Sequence, residues 1–159
     1  MSDTELRLWE GEVLQQWLDY NGHMTEHRYL QVFGESSDAL YLQLGVVFER
    51  ASEGSFFTLE THLVHIAEAH VGTRLWTTTE IVGFDEKRLH LFHRLFGQDG
   101  KLLATAEHLA LNVAHGKAAA ADPDVLARIS EIFGQQQHHE LPERMGGVLK
   151  KPMAVSRLS

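Results

Sequence analysis

Asp19-Tyr20-Asn21-Gly22-His23-Met24-Thr25 is followed at once by a run in which Tyr29, Phe33, Ser36, Leu40 and Leu44 recur at steps of three and four. The first stretch packs turn formers together and reads as a loop. The second has the period of an α-helix, with Val32 widening its apolar stripe. Thr25 stands where an N-cap belongs, Glu26 suits the positive end of the helix, and Gly45 is placed to stop it. Leu30 and Leu42 lie off the stripe, so the helix is expected to be buried on more than one side.

On either side the period changes to two. Leu6 and Leu8 alternate before Gly11, so the stretch up to Trp17 reads as a strand and a connector. From Ser55, Phe57, Leu59, Thr61 and Leu63 share one face, and Phe56, Thr58, Glu60 and His62 the other. The segment from Val71 to Phe84 is rich in Thr, Val, Ile and Trp, which favours strand. Leu89 to Phe96 alternates again, Gln98-Asp99-Gly100 supplies a hairpin turn, and Leu103 to Val113 alternates a last time. The last three form a meander. Asp122-Pro123-Asp124 then opens a final helix through Val125, Leu126, Ile129 and Ile132. The expected architecture is α+β: one domain over residues 1–134, a long central helix wrapped by an antiparallel sheet, and a polar tail over 135–159 that is loose or draped on the surface.

Size and composition agree. A chain of 159 residues fits a single domain. No apolar run approaches the roughly 18 residues that cross a bilayer. The acidic N-terminus lacks the order of a secretory signal, so the cytoplasm is the expected compartment. The absence of cysteine removes disulfides, thiolate metal sites and cysteine nucleophiles. A formal net charge of -8 argues against nucleic acid as partner and modestly favours a cationic ligand.

The loop before the helix is where chemistry is expected. A helix N-terminus offers free N–H groups and a positive dipole end, which can stabilise the oxyanion formed when a thioester is attacked. Gly22 lets a substrate approach the backbone, and Asp19 can serve as nucleophile or as base on a water. A thiolate departs readily, so one carboxylate and one oxyanion hole suffice. The same residues also suit a plain loop and cap.

Asp19-Tyr20-Asn21-Gly22-His23-Met24 with Tyr29-Leu30 resembles the D-x-x-G-H-[MV]-N…Y-[LF] signature of the 4-hydroxybenzoyl-CoA-type thioesterases, which are hot-dog proteins. The likeness continues through Glu60-Thr61-His62, Gly72, the stretch Gly83 to His93, Asp99-Gly100 and Ala104 to His108, covering Leu6 to Val113. Within that group the set is most similar to the thioesterases that release glycine betaine from its CoA ester in bacterial carnitine degradation. Thr25 departs from the pattern, which has Asn there. The resemblance implies a homodimer or tetramer that needs no cofactor and no metal. It implies Asp19 as the catalytic carboxylate and the backbone N–H groups around Gly22 to Met24 as the oxyanion hole. Asn21 and His23 would brace the loop or position water. Glu60 or His62 of a second subunit would complete the site.

Other residues carry weaker expectations. A trimethylammonium group calls for an aromatic cage. Trp9, Trp17, Tyr20, Phe56, Phe57 and Trp76 are candidates, with Trp17 and Tyr20 best placed and Glu60 able to balance the charge. Arg88, with Lys87, either meets CoA phosphates or pairs with Asp85 and Glu86 in a solvated turn. The pairs His23 with His27, His62 and His65 with Glu68, and His138-His139 read as ordinary polar histidines before they read as metal ligands. Two rivals remain: a hot-dog hydratase, whose D-x-N-x-x-H spacing this chain misses by one residue, and a non-catalytic acyl-CoA-binding module.

Overall fold

The computed structural model describes residues 5–137, 139–143 and 145. Its elements are β1 (Leu6–Glu12), α1 (Glu26–Gln43), β2 (Ser55–His65), β3 (Arg74–Phe84), β4 (Arg88–Gly97), β5 (Leu102–Ala114), β6 (Lys117–Ala118) and α2 (Pro123–Gln135). One antiparallel sheet runs in the order β1-β3-β4-β5-β2, with β6 added to β5. The meander is therefore β3-β4-β5, and α1 lies along its inner face. A long helix held against such a sheet is the hot-dog arrangement, in the α+β class that the sequence implies. Gly45 ends α1 with φ +94, a left-handed turn that glycine takes without a Cβ penalty. At the other helix, Asp122 caps α2 by accepting from the Asp124 N–H, with Pro123 opening the first turn.

Two expectations from periodicity are corrected. Leu30 and Leu42 are 47% and 57% exposed, because within one chain the sheet and α2 cover α1 on its other side. And β2 does not alternate cleanly. A register shift between Thr58 and Glu60 places Phe56 and Thr58 opposite inner-facing Asn112 and Ala110, but Glu60 and His62 opposite outer-facing Leu109 and Glu107. Thr58 and Glu60 thus stand on opposite faces, where a strict period of two would keep them together.

The core has a polar belt across its middle. One apolar cluster packs Tyr29, Val32 and Phe33 of α1 on Leu75, Leu95 and Leu103; the other packs Leu40, Tyr41 and Leu44 on Ile81, Leu89, Leu91 and α2. Between them the Thr77 hydroxyl meets Ser36 at 2.8 Å, and His93 is bonded through Nε2 to Ser37 (2.8 Å) and through Nδ1 to Thr79 (2.9 Å). His108 packs edge-on against His93 at 5.1 Å, and neither of its buried ring nitrogens has a hydrogen-bond partner among the described residues.

Burial drives both imidazoles toward the neutral form. His93 is held well below the usual range, first by burial and then by its neighbour His108, and His108 is pushed down to about 4 by burial. In the unfolded chain both take a proton near pH 6.5. Their contribution to stability is therefore complete above that pH and is lost as the pH falls toward the folded values. His108 alone accounts for about 3 kcal/mol between pH 6.5 and 4. Urea melts in half-unit pH steps check this: stability drops steeply below pH 6.5, and His108→Leu makes the slope shallower. Because the ring nitrogens of His108 have no partner, that variant costs no more than about 1 kcal/mol at pH 7.5.

Beyond α2 the chain is fastened where it is described. The Ile81 N–H donates to Gln136 Oε1 at 2.8 Å, and Gln136 Nε2 donates to the Thr79 carbonyl at 3.2 Å. The paired register of β1 with β3 stops at Thr79, so this side-chain amide satisfies the strand edge that β1 leaves open. His139 approaches Glu80 at 3.4 Å. His138, Arg144 and residues 146–159 of the expected tail lie outside the described residues.

Candidate active site

The loop from Leu18 to Thr25 holds itself closed around Asp19. The Asp19 N–H donates to the His23 carbonyl (2.8 Å), and the Gly22 N–H returns to the Asp19 carbonyl (3.0 Å). Gly22 turns with φ +79, which suits a residue with no Cβ. The carboxylate closes the ring: Oδ1 accepts from the N–H of Asn21 at 2.8 Å and of His23 at 3.3 Å. Oδ2 accepts no hydrogen bond among the described residues. Two longer-range bonds seat the loop, from the Met24 N–H to the Ala69 carbonyl (2.9 Å) and from the Thr25 N–H to the Trp17 carbonyl (2.8 Å). The Met24 and Trp17 side chains beneath are core. The carboxylate is thus fixed, with one oxygen to spare.

The same bonds revise the donor set. The N–H groups of Gly22, His23 and Met24, expected to form the oxyanion hole, are all engaged by the loop and by Ala69. The unpaired donors come one turn later. Thr25 occupies the N-cap position, but its side chain makes no capping bond, and the first backbone donor to turn inward is Arg28, to the Thr25 carbonyl at 3.0 Å. The N–H groups of Glu26 and His27 have no partner among the described residues, as the geometry of a helix start requires.

Asp19, His23, Glu26, Tyr29, His65 and Glu68 line one cleft of about 360 Å³. His23 Nε2 lies 3.3 Å from Glu68 Oε2, and the Tyr29 hydroxyl is 3.4 Å from the Ala67 carbonyl. Burial raises the Tyr29 pKa, and the carboxylates of Glu68 and Asp19 add to the rise, so the phenol keeps its proton. Tyr29, His65 and Glu68 were not expected here from the sequence. Tyr29 comes from the first turn of α1, and His65 and Glu68 line the same cleft because β2 ends beside the start of that helix.

Within one chain, several expected site residues stand away from this cleft. Trp17 is 6% exposed, with Arg28 over its ring at 5.7 Å, and Tyr20 is 97% exposed at the loop tip. Glu60 and His62 stand on the outer face of the sheet, as the register of β2 on β5 shows, whereas α1 and the cleft are on the inner side. Arg88 pairs with Leu111 of β5, while His65 in the cleft pairs with Ala104, a separation of roughly 20 Å along the strand. Its guanidinium binds Asp85 at 2.7 Å and holds that carboxyl down to about 2, the solvated-turn alternative. A roomier hollow of about 730 Å³ lies between the end of α1 and the start of α2, lined by Arg50, Asn112 and Arg128 among others. Its Asp122 is taken up as the cap of α2, and none of the residues of the Asp19 loop lines it, so volume does not make it the better candidate. Among the described residues no group of three or more His, Asp or Glu is placed to hold a metal ion, and no helix is long and apolar enough to cross a membrane.

Comparison with known proteins places the chain in a family. The profile of the thioesterase-like superfamily matches residues 13–129. A protein of Agrobacterium fabrum, L-carnitine dehydrogenase/betainyl-CoA thioesterase, is 41% identical over 94% of the chain, which spans 31% of that relative. The betainyl-CoA thioesterase of Pseudomonas aeruginosa is 36% identical over 92% of the chain and 96% of its own length. Among solved structures, a Pseudomonas putida protein assigned as a thioesterase superposes with a TM-score of 0.83 at 33% identity, covering 94% of this chain and 98% of that one. A Staphylococcus aureus protein solved in complex with CoA shares the fold, with a TM-score of 0.85 at 24% identity over 93% and 97% of the two chains.

Proposed function

Because the chain belongs to the thioesterase-like superfamily, we propose that it hydrolyses an acyl-CoA thioester to the free acid and CoA, and that betainyl-CoA is its substrate, as in carnitine degradation. One observation carries the reading: a carboxylate pinned through Oδ1, with Oδ2 to spare, shares a cleft with Glu26, the first residue of α1, whose N–H has no partner among the described residues. The thioester carbonyl oxygen takes the Glu26 and His27 donors. Asp19 Oδ2 then either attacks the carbonyl carbon or draws the proton from an attacking water. The negative charge that forms on the carbonyl oxygen is met by those N–H groups and the positive end of the helix dipole. Collapse of the tetrahedral species expels the CoA thiolate; on the first route water then cleaves the acyl–Asp19 anhydride to the acid and the free carboxylate, and on the second the acid forms directly and the proton held by Asp19 passes to the thiolate or to solvent. His23 and Tyr29 border the reacting centre, and Asn21 serves through its backbone N–H on Asp19.

Release of free thiol from betainyl-, acetyl-, medium-chain and aromatic acyl-CoA, with EDTA present, tests the reading. Turnover of betainyl-CoA above the rest supports it. Turnover of another ester keeps the hydrolase and removes the betaine assignment, and no turnover moves the chain to the hydratase or the binding module.

A second copy is part of the proposal. The strand β2 forms one edge of the sheet, and its Phe57 and Leu59 are 55% and 54% exposed. An open strand edge with apolar side chains invites pairing with its own kind, which two-fold symmetry closes into a dimer. Leu59→Lys is expected to sediment as a monomer where the unaltered chain sediments as a dimer; no change in mass would remove this interface. The CoA substrate places the proposed reaction in the cytoplasm.

A further inference from the structure

We propose that Glu68 sets the charge preference of this cleft, making it select an acyl group that carries a positive charge close to its carbonyl. The inference rests on the thioesterase reading and goes further by assigning its specificity to one side chain. In a betainyl ester the quaternary nitrogen is only two bonds from the carbonyl carbon. If that carbon is held between Asp19 and the start of α1, the cation lies inside the same cleft and must be recognised by what lines it.

Aromatic recognition is poorly served there. Trp17 is buried in the core, Tyr20 points into solvent, and the ring of Tyr29 is packed at 87° against His65 with centroids 4.9 Å apart. Charge is well served. The lining includes the carboxylates of Asp19, Glu26 and Glu68, with neither Lys nor Arg among the residues that form it. Asp19 is committed to the reaction, and Glu26 sits at the first helical position, where its charge complements the helix dipole. Glu68 has neither duty.

The backbone that carries it is nonetheless fixed, and its side chain stands 68% exposed at the mouth of the cleft. The Ile66 and Ala67 N–H groups before it donate to the Leu103 carbonyl at 2.9 and 3.1 Å, and the Ala69 carbonyl after it takes the Met24 N–H. His23 contacts one carboxylate oxygen from the side, at 3.3 Å. A carboxylate held at a cleft mouth attracts a nearby cation by an amount that solvent reduces but does not cancel.

The test compares kcat/KM for betainyl-CoA and for 3,3-dimethylbutanoyl-CoA, which replaces the quaternary nitrogen with carbon at the same shape. The unaltered protein favours the charged ester. In Glu68→Gln the ratio falls about tenfold, in Glu68→Lys it falls further, and added salt erodes the preference of the unaltered protein more than that of either variant. Folded variants whose ratio equals that of the unaltered protein would overturn the proposal. If the unaltered protein hydrolyses neither ester, the thioesterase reading fails. Calorimetric binding of the two esters then makes the same comparison, an unmoved affinity ratio counting against Glu68 and a tenfold fall supporting it.

Discussion

Asp19→Asn lowers thiol release by roughly 10³–10⁴-fold, the range that removal of a general base or nucleophile produces, while the fold survives. The variant isolates chemistry from architecture because the two tasks of Asp19 fall on different atoms. The amide oxygen of Asn can accept from the Asn21 and His23 N–H groups just as Oδ1 does, so the loop keeps its internal bonds. The oxygen that would act on substrate becomes an NH₂ group, which neither attacks a carbonyl nor takes a proton. Thermal melting is expected within about 2 °C of the unaltered protein, since two weakened backbone bonds on an exposed loop cost well under 1 kcal/mol. Binding of a non-hydrolysable CoA thioether is expected to persist. Asp19→Ala, which removes the acceptor too, loses the same activity and in addition about 1 kcal/mol of stability. Turnover by Asp19→Asn at the level of the unaltered protein would reduce Asp19 to a loop brace and return the binding module to first place.

The elements that could be read from the sequence are those whose signal is local. The stripe from Tyr29 to Leu44 determines α1 because each side chain shares its face with neighbours three and four residues away. The meander is equally legible, since Gln98-Asp99-Gly100 and the alternation around it need no distant partner. What could not be read depends on pairings far apart in the chain. The bulge in β2 arises from its register on β5, and it alone moves Glu60 and His62 off the face that alternation assigns them. His93 and His108 are two histidines among eleven until α1 and β3 close over them.

The oxyanion donors show the same division. That the helix start would supply unpaired N–H groups follows from helix geometry. Which residues own them depends on the Ala69 and Trp17 carbonyls, brought in by the end of β2 and by the connector after β1. Glu68 owes its place to that strand end as well. Asp19 was legible because its partners lie two and four residues away.

The proposed supply of oxyanion donors by Glu26 and His27, in place of Gly22 to Met24, has a direct consequence. Glu26→Pro removes one backbone N–H and is expected to lower kcat by about 10²–10³-fold with little loss of stability, the cost of deleting one oxyanion donor. Proline is suited to this position. Glu26 is the first helical residue, its N–H has no partner among the described residues, and the ring's fixed φ is that of a helix start. Proline also constrains its predecessor to extended backbone, and Thr25 already has φ -70 and ψ 149. The side chain is controlled by Glu26→Gln, which loses the carboxylate but retains the N–H. The contrast of interest is kcat of the proline variant against that of the glutamine variant, measured on the uncharged 3,3-dimethylbutanoyl ester so that cleft charge does not enter. A gap of two orders of magnitude with similar melting temperatures assigns the missing stabilisation to a single amide. Equal kcat values would mean that the carbonyl oxygen is held elsewhere, and the loop would then have to release the His23 or Met24 N–H on binding substrate, breaking the bond to Asp19 or to Ala69 that now fixes it.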